Sequence, residues 1–293
     1  MEAKAPNCHS RRGLLLIFIA ALLFSIGGLC VKMIPWQPLA INSFRSILSV
    51  GILFLYAKRT KHPLRLTPGV LIGACAMCAT TTFYTMANKY TTAANAILLQ
   101  FTAPMFVILF MWFLFRERPQ RIDLIACVLV FGGIACFFLD GLGAGNLLGN
   151  GLAVLAGVGY AGVFMLNKMP KGDPLFSALL GQAMGAGLGL PWLLREPAVG
   201  GTGLFFAIIL GVFQMGIAYV FFSVGIQTAP PLSAALITGI EPVLNPLLVA
   251  LFLHETVTRL SLIGGGIVFA TIMAHNLISI NQQKQARPTQ LEV

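Results

Sequence analysis

The sequence predicts an all-α integral membrane protein with ten transmembrane helices, arranged as two inverted-topology five-helix repeats. Three observations lead there. Hydrophobic residues make up 57% of the 293 and charged residues only 10%, against about 25% charged in an ordinary soluble domain. Apolar runs of near-bilayer length, about 20 residues at ~1.5 Å each, recur ten times along the chain. Pieces of the first half reappear in the second at a nearly constant offset.

Residues 1–12 form a short basic tail, expected in the cytoplasm. Gly13 to Val31 is uncharged. It outruns the roughly 7–15 apolar residues of a signal peptide and lacks a small-x-small exit, so it reads as a retained first helix. Lys32 to Pro38 closes it, with Trp36 as an interfacial residue. Further spans are predicted at 39–57, 68–88, 93–115, 122–139, 148–167, 175–194, 203–224, 232–253 and 260–280. A turn-rich break, Asp140 to Asn146, falls near the midpoint. The first repeat is thus 13–140, the second 148–280, and 281–293 is a polar cytoplasmic tail.

Shifting the first half by 138 residues lays Pro104 on Pro242, Glu117 on Glu255, Arg121 on Arg259 and Ala96 on Ala234. A shift of 136 lays Gly13 on Gly149, Phe24 on Tyr160 and Lys32-Met33 on Lys168-Met169. Five is an odd number, so the second copy must lie upside down in the membrane. Inverted repeats of this kind build the central site of secondary transporters. With both ends inside, fourteen Lys and Arg fall on the cytoplasmic side and four outside, with Arg45 alone within a span. The positive-inside rule selects this orientation. The net charge of +10 therefore reports membrane orientation, and no nucleic-acid partner is expected.

The stretch Ser233 to Glu255 carries Glu241 near its middle, then Pro242, Asn245 and Pro246. A lone carboxylate in hydrocarbon costs at least ~2.5–3.5 kcal/mol, so it must face protein or a watery cavity. Each proline removes a backbone donor and crowds the carbonyl one turn earlier. A broken polar span is tolerated where it lines a pathway. Arg45 is its natural complement: the two face each other, or both face a zwitterionic ligand. The pathway candidates are Arg45, Glu241, Asn245, Tyr84 and Lys32, the last also fitting a snorkelling interfacial lysine. Pro104, Pro242 and Pro246 are candidate helix breaks for gating.

Other features have two readings. Thr80, Thr81, Thr82 and Thr85 line a cavity or bond their own preceding carbonyls. The Gly181, Gly185 and Gly189 face, with Gly69 and Gly73, serves static packing or sliding. His275 relays protons or packs. Trp112, Phe113 and Phe115 read as lipid-facing. The six cysteines lie mostly in apolar runs and form no disulfide framework. His254-Glu255 lacks further ligands for a metal.

Taken together, Phe24-Ser25-x-Gly27-Gly28-x-x-x-Lys32, Phe44-Arg45, Ala96 to Pro104, Glu117-Arg118, Ala234 to Glu241-Pro242 and Glu255 resemble the EamA domains of the drug/metabolite transporter superfamily. The resemblance spans about 13–280. It implies a ten-helix carrier with a central cavity that moves small metabolites, such as amino acids or related amphipathic compounds, often outward across a bacterial inner membrane. The second half departs from the first near Gly181-Gln182, where no counterpart of Arg45 occurs. An intramembrane enzyme or a channel-like protein is the alternative. No H-E-x-x-H, nucleophile elbow or phosphate loop is present for enzymatic work, and no cofactor is implied. The expected partners are the lipid bilayer and a small-molecule substrate, with a homodimer left open.

Reporter fusions test the topology. Those at residues 62, 172 and the C-terminus are expected in the cytoplasm, and those at 90 and 142 outside. A cytoplasmic reporter at 142 breaks the five-plus-five scheme.

Overall fold

The computed structural model describes residues 7–116, 120–144, 147–228, 237–253 and 258–285, and every regular element among them is helical. The elements are α1 (Asn7–Ser25), α2 (Gly27–Met33), α3 (Pro38–Arg59), α4 (Pro68–Tyr90), α5 (Ala93–Gln100), α6 (Ala103–Phe115), α7 (Arg121–Ala144) and α8 (Leu147–Phe164). A 3₁₀ turn (Met165–Lys168) follows. The rest are α9 (Pro174–Leu193), α10 (Gly201–Ile209), a π-helical segment (Leu210–Ile217), α11 (Ala218–Thr228), α12 (Glu241–Leu253) and α13 (Arg259–Gln285). Among the described residues, six helical stretches are long and apolar enough to cross a membrane. In hydrocarbon a chain must satisfy its backbone internally, which is why helices carry the whole architecture. This is a multi-pass membrane protein.

Proline and side-chain caps start the helices at the predicted places. Thr67 accepts from the Val70 N–H at the start of α4, Thr92 from the Asn95 N–H at the start of α5, and Asp173 from Leu175 and Phe176 at the start of α9. Each satisfies donors that a helix start leaves open.

Hydrogen bonds place the helix ends. At one end, which we call end A, Lys32 Nζ donates to Thr91 O (2.9 Å), Lys89 Nζ donates to Ile34 O, and Thr91 Oγ1 donates to Asn150 Oδ1 (2.9 Å). At the opposite end B, His62 Nε2 meets Asp173 Oδ2 at 2.7 Å and Thr67 Oγ1 donates to Lys171 O at 3.0 Å. The α1–α2 pair therefore finishes at end A, where α8 begins. Helix α3 runs from A to B, and α9 runs from B to A.

The packing has an exchange symmetry. Helix α3 lies on α9, α7 on α13 and α5 on α12; α4 lies on α8 as α1 lies on α11; α4 lies on α9 as α3 lies on the π segment. Swapping α1 for α8, α3 for α9, α4 for α10–π–α11, α5–α6 for α12 and α7 for α13 maps these pairings onto one another. Helices α6 and α12 start and end at the same offset, 103 to 241 and 115 to 253, and each follows a turn, Phe101-Thr102 and Gly239-Ile240.

Two sequence expectations need correction. Trp36 is buried rather than interfacial, with 8% exposure; its indole donates to Pro197 O at 3.2 Å and its ring meets Phe44 edge-on. The midpoint break is narrower than expected. Helix α7 continues to Ala144 through Gly141 and Gly143, because an apolar surrounding gives the backbone no partner except itself. Like Pro104 in α6, Pro242 sits in the first turn of a half-helix, where its missing N–H costs nothing. Nothing in the sequence announced the π segment of the eighth predicted span. The positions Glu117, Arg118, Ala234, His254 and Glu255 lie outside the described residues.

The glycine face of α9 is a packing surface. A Cβ on Gly189 would stand 2.1 Å from Leu39 O, and one on Gly181 would stand 2.7 Å from Ala74 O. Gly187, on the same helix, has nothing within 4 Å. Gly189→Ala is expected to lower stability by about 1–3 kcal/mol through overpacking, read as a lower melting temperature in detergent. Gly187→Ala is expected to leave melting unchanged or slightly raised. Equal melting of the two variants contradicts this packing.

Candidate transport site

The buried polar side chains converge between the two halves. A small cavity is lined by Phe24 of α1, Arg45 of α3, Thr80, Thr81 and Tyr84 of α4, Gln100 at the end of α5, Tyr160 of α8, Gln214 of the π segment, Tyr219 of α11 and Glu241 at the start of α12. It draws on both sequence halves. Phe24 and Tyr160, which coincide under the 136-residue shift, both line it.

Arg45 is 1% exposed. Its guanidinium is pinned on one side only. Asn42 Oδ1 accepts from Nε at 3.3 Å and Nη2 at 3.0 Å, and Thr81 O accepts from Nη2 at 2.7 Å. Nη1 is buried without a hydrogen-bond partner. Asn42 is held in turn: its Nδ2 donates to Thr82 Oγ1 at 3.1 Å. Gly185 lets α9 lie over this group, since a Cβ there would stand 3.2 Å from Asn42 Nδ2 and 3.3 Å from Ser46 Oγ.

Glu241 is 7% exposed on the same cavity. No hydrogen bond or ion pair joins it to Arg45 among the described residues. The direct pairing that the sequence invited is absent, and both charges face the shared space instead. One turn further along α12, Asn245 Nδ2 donates to Tyr84 Oη at 2.9 Å, while Asn245 Oδ1 is buried without a partner. Gly28 makes room for it, because a Cβ there would come within 2.2 Å of Asn245 Oδ1. Gly27 does the same for Gln214, whose Oε1 is also buried and unpartnered. The Gly27-Gly28 pair thus seats two polar side chains of the second half.

The remaining candidates divide. Tyr84 lines the cavity. Lys32 does not; its ammonium binds the Thr91 carbonyl at end A. Pro104 and Pro242 start the half-helices that flank the cavity, and Pro246 falls within α12. The threonines meet both readings. Thr80 and Thr81 line the cavity, while Thr80 and Thr85 donate to the carbonyls of Ala76 (2.7 Å) and Thr81 (2.8 Å). His275 pairs with Asp123 at 2.6 Å, between α13 and α7 and away from the cavity. Gln214, Tyr219 and Gln100 were not singled out from sequence. Their signal was polarity within apolar runs, which is shared with residues that only pack.

Both ends of the helix set are latched. At end A, the Gln37 N–H donates to Glu196 Oε1 at 2.8 Å, beside the Trp36–Pro197 bond. This ties the α2–α3 connection to the α9–α10 connection. At end B, the His62–Asp173 and Thr67–Lys171 contacts tie the α3–α4 connection to the one before α9. These are counterpart connections under the same exchange of halves.

A polar cavity lined by Arg45 and Glu241 thus lies inside a set of membrane-crossing helices, an arrangement that suits a membrane carrier. Comparison with known proteins agrees. The family model of the EamA-like transporter family matches residues 11–139 and again 147–277. An uncharacterized transporter of Archaeoglobus fulgidus is 30% identical over 192 residues, covering 65% of this chain and 69% of that protein. One from Clostridium kluyveri is 24% identical over 303 aligned positions, covering 94% and 95%. A solved crystal structure shares the fold with a TM-score of 0.67 at 20% identity, over 94% of this chain and 98% of that one. The chain belongs to the EamA-like transporter family.

Asn42 is expected to hold the guanidinium in place. Asn42→Ala removes the acceptor of two Arg45 N–H groups in a dry setting, at a cost of about 1–3 kcal/mol. Melting in detergent should fall accordingly. Thr82→Val, which removes only a partner of Asn42, should cost less. The reverse order contradicts this assignment.

Proposed function

We propose that this chain is a ten-span inverted-repeat carrier that moves small zwitterionic metabolites of the amino-acid type, outward, by alternating access across the bacterial inner membrane, with both termini in the cytoplasm. The observation that carries the reading is the unpartnered Arg45 Nη1 sharing one cavity with Glu241, with no bond between them. A buried donor left open in a dry site is costly, and a carboxylate meets a guanidinium through charge-assisted bonds. Glu241, with the acceptor oxygen of Gln214 nearby on the same cavity, suits an ammonium group. The aromatic rings of Phe24, Tyr84, Tyr160 and Tyr219 suit the apolar remainder of such a molecule.

The inverted arrangement is supported by the opposite directions of α3 and α9, by the exchange symmetry of the packing, and by the repeated half-helix at the 138-residue offset. The contacts at ends A and B serve as two latches. Release of one latch at a time gives alternating access. The half-helices beginning at Pro104 and Pro242 are the hinged parts, since each proline lacks the N–H that would tie it to the preceding turn. End B, which carries the basic α3–α4 loop, is cytoplasmic under the positive-inside rule. Glu241 is also the group placed to carry a coupling proton.

Proteoliposomes test this. Arg45→Lys cannot reproduce the fork held by Asn42 and Thr81 and is expected to lose most transport while still inserting. Glu241→Gln is expected to lose gradient-driven accumulation yet retain exchange. Wild-type uphill transport by Glu241→Gln contradicts the coupling role, and full transport by Arg45→Lys contradicts the carboxylate site.

A further inference from the structure

A second concavity lies on the outside of the helix set, between α3 and the π segment with α11. Its walls are Ile52, Leu55, Ile217 and Val220, and Tyr56 and Arg59 stand at its end-B mouth. Ile52, Leu55, Tyr56 and Arg59 are spaced three, four and seven residues apart, so they form one stripe of α3. The stripe is apolar below and cationic at the top. Neither the Tyr56 hydroxyl nor the Arg59 guanidinium has a hydrogen-bond partner among the described residues.

The surrounding charge is unbalanced. Lys58, Lys61 and Arg65 flank Arg59 in sequence. The carboxylate of Asp173, which reaches this loop, is taken by His62 and by the start of α9. The π-helical turn shapes the other wall. Gly216 lets Ile52 approach closely, since a Cβ there would stand 2.4 Å from Ile52 Cδ1, and Ile217 then opens the groove beside it. Single π turns in helices often mark functional positions.

We propose that this groove binds an anionic phospholipid, with one acyl chain along Leu55, Ile217 and Val220 and the phosphate on Arg59 and the Tyr56 hydroxyl. The complementarity decides the class. A neutral or apolar occupant leaves the Arg59 charge unanswered, and a free anion leaves the apolar wall unanswered. Anionic lipids are drawn to basic segments at the membrane surface, but a groove with a cation at its mouth adds a seat. The site also has a route to the transport cavity. Its α3 wall carries Arg45 two turns before Ile52, and its other wall carries Gln214 and Tyr219. Occupancy presses on both sides of the central cavity.

Native mass spectrometry of the full chain tests this, with phosphatidylglycerol and phosphatidylcholine of identical acyl chains. Wild type is expected to hold phosphatidylglycerol about tenfold more tightly. Arg59→Gln should lose that preference, and Lys58→Gln should keep it. Leu55→Trp, at a lipid-facing position that tolerates the larger ring, should lower binding of both lipids at unchanged melting temperature. Equal affinities in wild type overturn the proposal. So does an equal loss in Lys58→Gln and Arg59→Gln, which reports diffuse surface charge only. Competition by glycerol 1-phosphate as strong as that of the lipid overturns the acyl-chain seat.

Discussion

One guanidinium in the middle of a membrane protein sets the terms for much of what surrounds it. A cation cannot stand in hydrocarbon, so Arg45 must be enclosed, and its enclosure must supply acceptors. Asn42 and the Thr81 carbonyl do so on one side. Thr82 holds Asn42, and the glycine face of α9 brings a third helix over the group. The far side of the guanidinium is left open to a cavity built by both halves. Full enclosure would have required a carboxylate in contact, and Glu241 is held on the cavity wall without touching it. Charges that share a cavity without pairing leave their attraction available to a ligand, whereas a closed pair would compete with it.

Much of this was legible in the sequence. Composition alone requires a helical membrane protein, and the apolar runs locate nearly every helix, because a bilayer fixes both length and polarity. Arg45 and Glu241 stood out for the same reason: a charge inside an apolar run has few permitted surroundings. The internal offsets were legible because Pro104 and Pro242 start equivalent half-helices. What the sequence could not convey was contact. Gln214, Tyr219 and Gln100 reach the cavity by virtue of how the helices are turned, and a helix apolar on most sides carries little periodic signal. Gly27 and Gly28 stood out only as part of the family-like motif Phe24 to Lys32. Their use, seating Gln214 and Asn245, depends on which helix lies opposite. Trp36 was misassigned because a tryptophan at a span end has the same local sequence whether it faces lipid or a neighbouring connection.

The two halves are alike in frame and unlike in content. Frame positions, such as the helix-starting prolines and the turns before them, recur. The charges do not: the guanidinium belongs to the first half and the carboxylate to the second. In the proposed cycle, a site assembled from one charge of each half would change its geometry as the halves rock against each other, and would so be coupled to the contacts at the two ends, whose partners also come one from each half.

The central claim is that the open side of Arg45 receives a carboxylate from the transported molecule. Melting of the purified chain across the common L-amino acids, then across the methyl ester of the most stabilising one, tests it directly, because a ligand that binds the folded state raises its stability. The account predicts that the acid stabilises wild type, that the ester does not, and that Arg45→Gln no longer distinguishes them. An ester as effective as the acid, or a panel in which no amino acid stabilises the protein, would contradict it.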